Sequence, residues 1–251
     1  MSAKDIHKLM LAGIKNAKQE YAWLKDFATS QAELSKWIEE RIHGKPLAYI
    51  IGHVDFYGLN LIVNQNVLIP RFETESLIEL ILHNTPSDRK LNILDLGCGS
   101  GAIALALKKH LPLCNIYAID ISMPALSVAL QNQAKYPKHQ VHWIQSHWLQ
   151  SINLNYIDIL VSNPPYVENN WQDNSIIYEP QTALYSGEDG LDDIKKIIQQ
   201  TKEHIHLEIW FEHGHNHDLS KLIGSSWNIK QYSDLSGSQR FTHLTEKIKD
   251  V

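Results

Sequence analysis

A proline-rich turn directly after an apolar run places an amide side chain where it could hold a reacting group. Residues 157–161 are rich in apolar, β-branched side chains, which predicts a buried strand. Asn163, Pro164 and Pro165 follow the run. Proline fixes its own φ, lacks an N–H and pushes the residue before it into an extended conformation. We therefore expect Asn163 in a rigid turn at the carboxyl end of a strand, where open α/β sheets bind ligands.

This turn suits nucleophilic attack by a planar nitrogen. The lone pair of an amide or aromatic amine is delocalised, so such a nitrogen is a poor nucleophile. The Asn163 side-chain oxygen and the Pro164 carbonyl could each accept one N–H of an NH2 group and aim its lone pair, while Tyr166 stacks on the flat substrate. Positioning of this kind is worth up to roughly 7–11 kcal/mol. The structural alternative is a plain turn that ends a strand.

A glycine-rich loop lies upstream of this turn. Residues 91–94 predict a buried strand, residues 102–111 a helix and residues 115–120 a second strand that ends in Asp120. The loop between the first strand and the helix reads Asp95-Leu96-Gly97-Cys98-Gly99-Ser100-Gly101. Together these elements predict a βαβ nucleotide-binding unit, with Asp120 placed to hydrogen-bond ribose hydroxyls.

Two kinds of ligand are compatible with a loop of this type, a dinucleotide and S-adenosylmethionine. A dinucleotide fold has the fingerprint G-x-G-x-x-G and binds pyrophosphate at the helix N-terminus. Here Gly97, Gly99 and Gly101 alternate and Asp95 precedes them. This pattern resembles the Asp-x-Gly-x-Gly-x-Gly loop of methyltransferases that use S-adenosylmethionine (SAM), whose amino group and sulfonium favour a nearby acid. The Asn-Pro-Pro-Tyr turn also resembles the motif of SAM-dependent enzymes that methylate planar nitrogens, so SAM is favoured.

The chain divides into three predicted parts. Residues 1–45 form a small helical domain, with one helix over residues 4–27 and a second that starts at the Ser30–Glu33 capping box and ends at Gly44. Residues 46–70 form a β-hairpin linker with strands at 49–53 and 59–63. Residues 71–251 form a doubly wound, Rossmann-like α/β domain.

Further elements are predicted within the α/β domain. The helices are 71–83, 123–136, 191–204 and 218–223, and the strands are 141–145, 206–211, 227–232 and 240–244. Residues 167–189 form a long irregular segment that could cover the substrate beside Asn163. Trp148, after the third strand, packs either against an adenine or in the core. His147 stands where an acidic residue often contacts the adenine amino group.

Composition narrows the function classes. The net charge of −5 provides no global basic footprint, which disfavours a duplex-binding enzyme. The two cysteines, Cys98 and Cys114, do not make a disulfide framework, so a reducing cytoplasm is expected. No signal-peptide or membrane-spanning pattern is seen.

A histidine-rich stretch follows the strand predicted over residues 206–211. On a strand, His213, His215 and His217 would share one face and could bind a metal. Gly214 and Asn216 instead favour a turn, and we expect no metal site.

Short motifs along residues 45–241 resemble, in order, those of the bacterial peptide chain release factor glutamine methyltransferases. They are Tyr49-Ile-Ile-Gly, Phe56-Tyr-Gly-Leu, Leu68-Ile-Pro-Arg with Glu73-Thr-Glu, the glycine loop, Asn163-Pro-Pro-Tyr, Glu179-Pro with Ala183-Leu, Asp189-Gly-Leu, Glu212-His-Gly, and Asp234-Leu with Gly237 and Arg240. The loop and the Asn-Pro-Pro-Tyr turn are widely shared. The segments around Arg71 and Glu179 are much more specific to this family.

The resemblance implies methyl transfer from SAM to the side-chain amide nitrogen of the glutamine in the Gly-Gly-Gln motif of class I release factors. The residues implied for SAM binding are Gly97, Cys98, Gly99, Ser100, Gly101, Asp120, Trp148 and Asn163. Those implied for the glutamine amide are Asn163, Pro164, Pro165 and Tyr166, of which Asn163, Pro164 and Tyr166 take part in catalysis. The helical domain would help to grip the release factor. A monomer that needs neither metal, nucleic acid nor membrane is expected.

The chain departs from the family pattern in several places. Its N-terminal helical region is short, Phe72 stands where proline is frequent, His147 replaces an acid and His217 stands near a frequent glutamine. The usual glycine pair before the Glu212 strand is absent. Weaker cofactor or partner affinity is therefore expected.

Three other functions stay open at this point. They are a glutamine methyltransferase of a ribosomal protein, a nucleic-acid amino methyltransferase, and a SAM-binding module without catalysis.

Overall fold

A glycine splits the first predicted helix in two. The computed structural model describes residues 2–171 and 176–247. Helix α1 spans Ser2–Leu11 and α2 spans Ala17–Phe27, and between them Gly13 adopts a φ of +81°, which ends α1. The prediction of one continuous helix over residues 4–27 is therefore wrong.

The third helix starts as the capping box predicts, with one change. Helix α3 spans Gln31–Ile42, and the Ser30 hydroxyl accepts the Glu33 N–H at 3.1 Å. The Glu33 carboxylate accepts the N–H of Thr29, not that of Ser30. Leu9, Leu24 and Ile38 from the three helices form a buried apolar cluster.

The linker contains a helix where a strand is predicted. Helix α4 spans Leu47–Ile51, so the strand prediction over residues 49–53 is wrong. Ile50 packs into the N-terminal helical cluster, whereas Tyr49 packs in a separate cluster that contains Ala125 and Val128. Pro46 precedes this helix, and Gly52 ends it with a φ of +82° and donates its N–H to the Ala48 carbonyl, so the two flanking residues limit the helix to five residues.

The predicted β-hairpin is present with a shifted first strand. Strands β1 (His53–Phe56) and β2 (Leu59–Ile62) are antiparallel and are joined by Tyr57 and Gly58, both with positive φ, as type I′ turns require. The hairpin is tied to helix α7 (Met123–Lys135) because the Asn132 side-chain oxygen accepts the Ile62 N–H at 2.6 Å.

A mixed sheet forms the centre of the α/β part. Its further helices are α5 (Phe72–Asn84), α6 (Ala102–His110) and α8 (Asp192–Thr201). Its strands are β3 (Asn92–Leu96), β4 (Asn115–Asp120), β5 (His142–Gln145), β6 (Ile159–Ser162), β7 (Glu208–Glu212), β8 (Trp227–Ser233) and β9 (Gln239–Glu246). In the described residues these seven strands have the order β5-β4-β3-β6-β7-β9-β8. Every strand predicted in this part is confirmed, with boundaries that move by a few residues.

The order of the strands positions the site. Strands β3 to β7 are parallel, and the chain leaves β3 towards β4 on one side and returns to β6 on the other. Such a reversal opens a crevice at the carboxyl ends of the two strands. The glycine loop follows β3 and the Asn163 turn follows β6, so both predicted motifs lie at this crevice.

Two predictions near the C-terminal strands need correction or limits. Residues 218–223, predicted as a helix, contain only a single 3-10 turn at Leu219–Lys221. The irregular segment predicted over 167–189 contains a short 3-10 turn at Gln181–Ala183, and its residues 172–175 lie outside the described residues. Within the described ranges, no helix is long and apolar enough to cross a membrane.

Candidate active site

Two cavities meet at Asn163. One, of about 310 Å³, is lined by the glycine loop, Asp120 and Trp148. The other, of about 550 Å³, is lined by Pro164, Tyr166 and residues of the 176–184 segment. Asn163 lines both, so one side chain can touch a molecule in each cavity. We call them the loop cavity and the turn cavity.

The glycine loop is held by backbone hydrogen bonds to the neighbouring strand. The N–H groups of Gly97 and Cys98 both donate to the Ile119 carbonyl of the neighbouring strand, at 2.8 and 2.9 Å. Gly101 begins α6 with a φ of +81°, and a Cβ there would lie 2.6 Å from the Trp143 ring. A glycine is therefore required at position 101 both by conformation and by space.

Asp120 holds the loop while it faces the loop cavity. One carboxylate oxygen accepts the Gly99 N–H at 2.9 Å and the other accepts the Ser122 N–H at 2.8 Å. Burial nevertheless raises the pKa of this carboxyl above its ordinary value. Each oxygen keeps a second lone pair, so the predicted bond to ribose hydroxyls is still available to it.

Two buried groups lie beneath the loop. One Asp95 oxygen accepts the Ala104 N–H in the first turn of α6, and the other has no hydrogen-bond partner among the described residues. Burial raises the pKa of Asp95 to about 7. The same burial, with Asp95 and Asp120 nearby, raises the pKa of the Cys98 thiol well above its usual range. Cys98 is thus held as an uncharged thiol.

Trp148 stands between the loop cavity and the core. Its backbone has a φ of +49°, its indole N–H donates to Asp193 at 3.3 Å, and its ring lies 3.6 Å from where a Cβ on Gly97 would be. It also packs against the apolar cluster below the sheet. Both predicted roles, cavity wall and core residue, therefore fit its position.

Ser146 was not singled out from the sequence, yet it lines the loop cavity next to His147. The Ser146 side chain is buried and its hydroxyl oxygen has no partner among the described residues. An unpaired buried hydroxyl is costly, which indicates that a polar ligand group completes it. His147 is exposed at the cavity edge.

The Asn163 amide is oriented from outside the turn. Its Nδ2 donates to the Thr74 hydroxyl oxygen of α5 at 3.2 Å. This bond leaves the Asn163 Oδ1 as an acceptor between the two cavities. Pro164 and Pro165 are buried directly after β6, at the carboxyl end of the strand where the turn is predicted.

Below Tyr166 lies a buried acid, Glu212. The Tyr166 hydroxyl donates to Glu212 Oε1 at 3.4 Å. Burial raises the pKa of Glu212 to about 7, against the opposing effects of Thr74 and Arg240. The pKa of Tyr166 is raised, by burial first and then by Glu212.

Two arginines flank the turn cavity, and each is paired with an acid. Arg71 donates to the buried Glu179 carboxylate at 2.6 Å, and Glu179 also accepts the Ile69 N–H. Arg240 donates to Asp234 at 2.8 Å, and the pKa of Asp234 is held at about 2, chiefly by the Ser236 hydroxyl. Arg71 and Arg240 thus line the turn cavity, and Glu179 and Asp234 hold them in place through ion pairs.

The histidine-rich stretch is a turn, as Gly214 and Asn216 predict. His213 is buried with its ring between the Gly214 carbonyl and the Thr242 hydroxyl. His215 lines the turn cavity, while His217 is buried. The described part of the chain contains no group of three His, Cys, Asp or Glu side chains placed to hold a metal ion.

The structure brings most, but not all, of the predicted site residues to a cavity wall. Those that line one are Gly97, Gly99, Asp120, Trp148, Asn163, Pro164, Pro165 and Tyr166. Cys98, Ser100 and Gly101 belong to the glycine loop but line neither cavity, and they shape the loop instead. Sequence reasoning missed three residues beside the cavities: Thr74, Ser146 and the buried acid Glu212. Thr74 and Glu212 stand within quoted motifs, but only the fold shows that they meet Asn163 and Tyr166.

The sheet, the glycine loop and the Asn163 turn define a methyltransferase with the Rossmann-like fold of SAM-dependent enzymes. A family model described as methyltransferase small domain matches residues 73–184. A methyltransferase structure from Pyrococcus furiosus shares this fold with a TM-score of 0.54 and 16% identity, over 84% of this chain and 97% of that one. The predicted fold class is confirmed.

Two relatives identify the family. A release factor glutamine methyltransferase from Coxiella burnetii is 37% identical over 222 residues, which cover 88% of this chain and 80% of the relative. Another from Koribacter versatilis is 40% identical, over 85% and 79%. The chain belongs to the release factor glutamine methyltransferase family, as its motifs predict.

Proposed function

We propose that this enzyme methylates the side-chain amide nitrogen of the glutamine in the Gly-Gly-Gln motif of class I release factors, with SAM as donor. The observation that carries the proposal is the position of Asn163, with an oriented amide oxygen between two cavities. The names of the relatives support a glutamine of a release factor as substrate, and the Gly-Gly-Gln motif is what the resemblance of the chain's own motifs implies.

SAM fits the loop cavity by its chemistry. Asp120 keeps free lone pairs for ribose hydroxyls. The Ser146 hydroxyl has no partner within residues 2–171 and 176–247, and a polar ligand group would supply one. Trp148 offers an aromatic wall for a flat base. When bound, SAM supplies an electrophilic methyl group on a sulfonium.

The residues of the turn then hold the nucleophile. Asn163 Oδ1 and the Pro164 carbonyl accept the two N–H groups of the glutamine amide, and Tyr166 lines the same turn cavity. The nitrogen is thereby fixed with its lone pair towards the loop cavity, so positioning supplies the rate acceleration. The amide proton leaves late, and the reaction requires no strong base.

The N-terminal helices, residues 1–45, are proposed to grip the protein substrate. Trp23 and Phe27 on α2 are partly exposed, and Leu11 at the end of α1 is largely exposed. Aromatic side chains are enriched in protein interfaces. The enzyme is proposed to act in the cytoplasm, since release factors work in translation. It is also proposed to act as a monomer.

The test is methyl transfer from labelled SAM to a purified class I release factor. A factor whose Gly-Gly-Gln glutamine is replaced by alanine serves as the matched control. We expect label on the wild-type factor and none on the control. Label on neither, with SAM binding demonstrated by calorimetry, would overturn the proposed substrate and direct the search to ribosomal proteins.

A further inference from the structure

A buried carboxyl that no step of the proposed reaction uses lies beneath the Asn163 turn. Glu212 ends β7, the strand beside β6, and its side chain is fully shielded from solvent. Its Oε2 has no hydrogen-bond partner within the described residues. Glutamate is rarely fully buried, and here one of its two oxygens stays unpaired among the described residues, so a function is expected for it.

Glu212 has two polar neighbours, and both belong to the turn's network. The Tyr166 hydroxyl donates to its Oε1 at 3.4 Å. Thr74 lies close enough to lower the pKa of the Glu212 carboxyl through its side chain. The same Thr74 oxygen accepts the Asn163 Nδ2–H at 3.2 Å. Tyr166 is therefore hydrogen-bonded to Glu212, and Thr74, which lies beside Glu212, is hydrogen-bonded to Asn163.

The direction of these bonds follows from the hydrogens that are available. A threonine hydroxyl has one hydrogen and can accept as well as donate. Because Thr74 accepts from Asn163, its own hydrogen is free to point at Glu212. A flipped Asn163 amide would need that hydrogen for its Oδ1 and would present an NH2 group to the substrate NH2, so that two donors face each other.

We propose that Glu212 is a positioning residue for the methyl transfer, which fixes the Asn163 amide through Thr74 and holds the Tyr166 hydroxyl. The kinetic test of this inference rests on the proposed function. The structural test depends only on the contacts among Asn163, Thr74 and Glu212, which we call the hydrogen-bond chain. Glu212 does not touch the substrate; it determines which atom of Asn163 does.

The charge of Glu212 is part of this arrangement. As a carboxylate it accepts from Tyr166 and has lone pairs left to accept from the Thr74 hydroxyl, whereas the protonated group offers one O–H of its own and would compete for these contacts. Arg240 from β9 favours the carboxylate, and Glu73 from α5 and burial oppose it, which raises the pKa to about 7. Activity should therefore rise as the pH increases through about 7.

The kinetic test compares wild type with Glu212→Gln, which keeps the shape and removes the charge. We expect kcat for a glutamine substrate to fall by about tenfold to a hundredfold, while the Kd for SAM stays within about twofold. The rise of kcat with pH should disappear in the variant. Thr74→Val should lose a similar factor, Thr74→Ser should restore most of it, and the Glu212→Gln/Thr74→Val double variant should be little worse than either.

The structural test uses no catalysis. The side-chain amide of Asn163, labelled with ¹⁵N, is followed by NMR from pH 5.5 to 8.5 without substrate. We expect its signal to shift with a midpoint near pH 7 in wild type and to stay constant in Glu212→Gln.

These outcomes separate the two proposals. A constant Asn163 signal in the wild type, or unchanged kcat and pH profile in Glu212→Gln, overturns the role of Glu212. A wild-type enzyme that shows the NMR shift but leaves the glutamine unmethylated refutes the substrate assignment and supports the hydrogen-bond chain. If Glu212→Gln does not fold, the Thr74→Val and Thr74→Ser pair decides in the same way.

Discussion

The loop cavity and the turn cavity share Asn163 but are built in different ways. The loop cavity depends on the backbone of one βαβ unit, where Gly97, Gly99 and Asp120 are tied by short hydrogen bonds. The turn cavity collects side chains from distant segments, and its arginines are held by separate ion pairs. The first is a property of local chain conformation, whereas the second exists only when distant elements meet.

The largest expected effect is at the junction of the two cavities. Asn163→Ala removes the oriented acceptor, so we expect turnover to fall by about 10²–10³-fold while the Kd for SAM changes by only a few-fold. Kinetics and calorimetry on the same protein measure both. The exposed Asn169 provides the control, since Asn169→Ala should leave turnover unchanged. Equal losses of turnover and SAM affinity would show that Asn163 belongs to the loop cavity alone.

The next effect concerns the buried acid beneath the loop. The folded-state pKa of Asp95 is raised from 3.8 to about 7, so the folded state retains a proton that the unfolded state releases. Stability is therefore highest below about pH 4 for this group, falls as the pH rises to about 7 and is then constant, a loss of roughly 2–4 kcal/mol. Asp95→Asn should lack this loss. Denaturant unfolding of both proteins without ligand between pH 4 and 8 measures it, and parallel curves would contradict it.

On the substrate side, Glu179→Gln tests the long-range ion pair. The substitution removes the charge that pairs with Arg71 and leaves a weaker acceptor for the Ile69 N–H. We expect a loss of about 2 kcal/mol in the free energy of unfolding and a higher KM for the protein substrate with little change for SAM. Glu188→Gln, at an exposed position, is the control. A higher KM for SAM, with no change in the KM for the protein substrate, would contradict the assignment of this ion pair to the turn cavity.

On the cofactor side, Gly101→Ala tests local conformation. The new Cβ would lie 2.6 Å from the Trp143 ring at a φ of +81°, so we expect the unfolding free energy to fall by about 1–2 kcal/mol. Gly224→Ala is the matched control, because no atom lies within 4 Å of a Cβ there and its φ is not positive. Thermal melts of both variants decide, and equal melting temperatures would remove the conformational requirement at position 101.

The smallest effect is expected at the edge of the loop cavity. His147 is exposed where the family pattern has an acid that contacts the adenine amino group. His147→Asp should tighten SAM binding by about threefold, the gain of one charge-assisted hydrogen bond in a wet site. His142→Asp, exposed on the neighbouring strand, should not change it. Weaker binding by His147→Asp would mean that the histidine itself contacts the cofactor.

The contrast between local chain conformation and contacts of distant elements also explains which features could be predicted from the sequence alone. The βαβ unit was predicted from the alternating glycines and the apolar runs beside them, because the conformation of such a loop is set by neighbouring residues. The rigid Asn163 turn followed from Pro164 and Pro165 for the same reason. The helix at Leu47–Ile51 was missed, since a five-residue apolar run is too short for its periodicity to distinguish a helix from a strand.

By itself, the sequence determined the succession of strands along the α/β part and most of its helices, the two loops at the crevice and the family. Only the tertiary structure decided that Thr74 of α5 orients Asn163, that Glu212 lies under Tyr166 and that Ser146 faces the loop cavity with no partner in the described part of the chain. Periodicity and turn chemistry act over a few residues, so they are visible in the chain. Hydrogen bonds between residues 74, 163 and 212 depend on how the strands and α5 pack, and no local pattern records that.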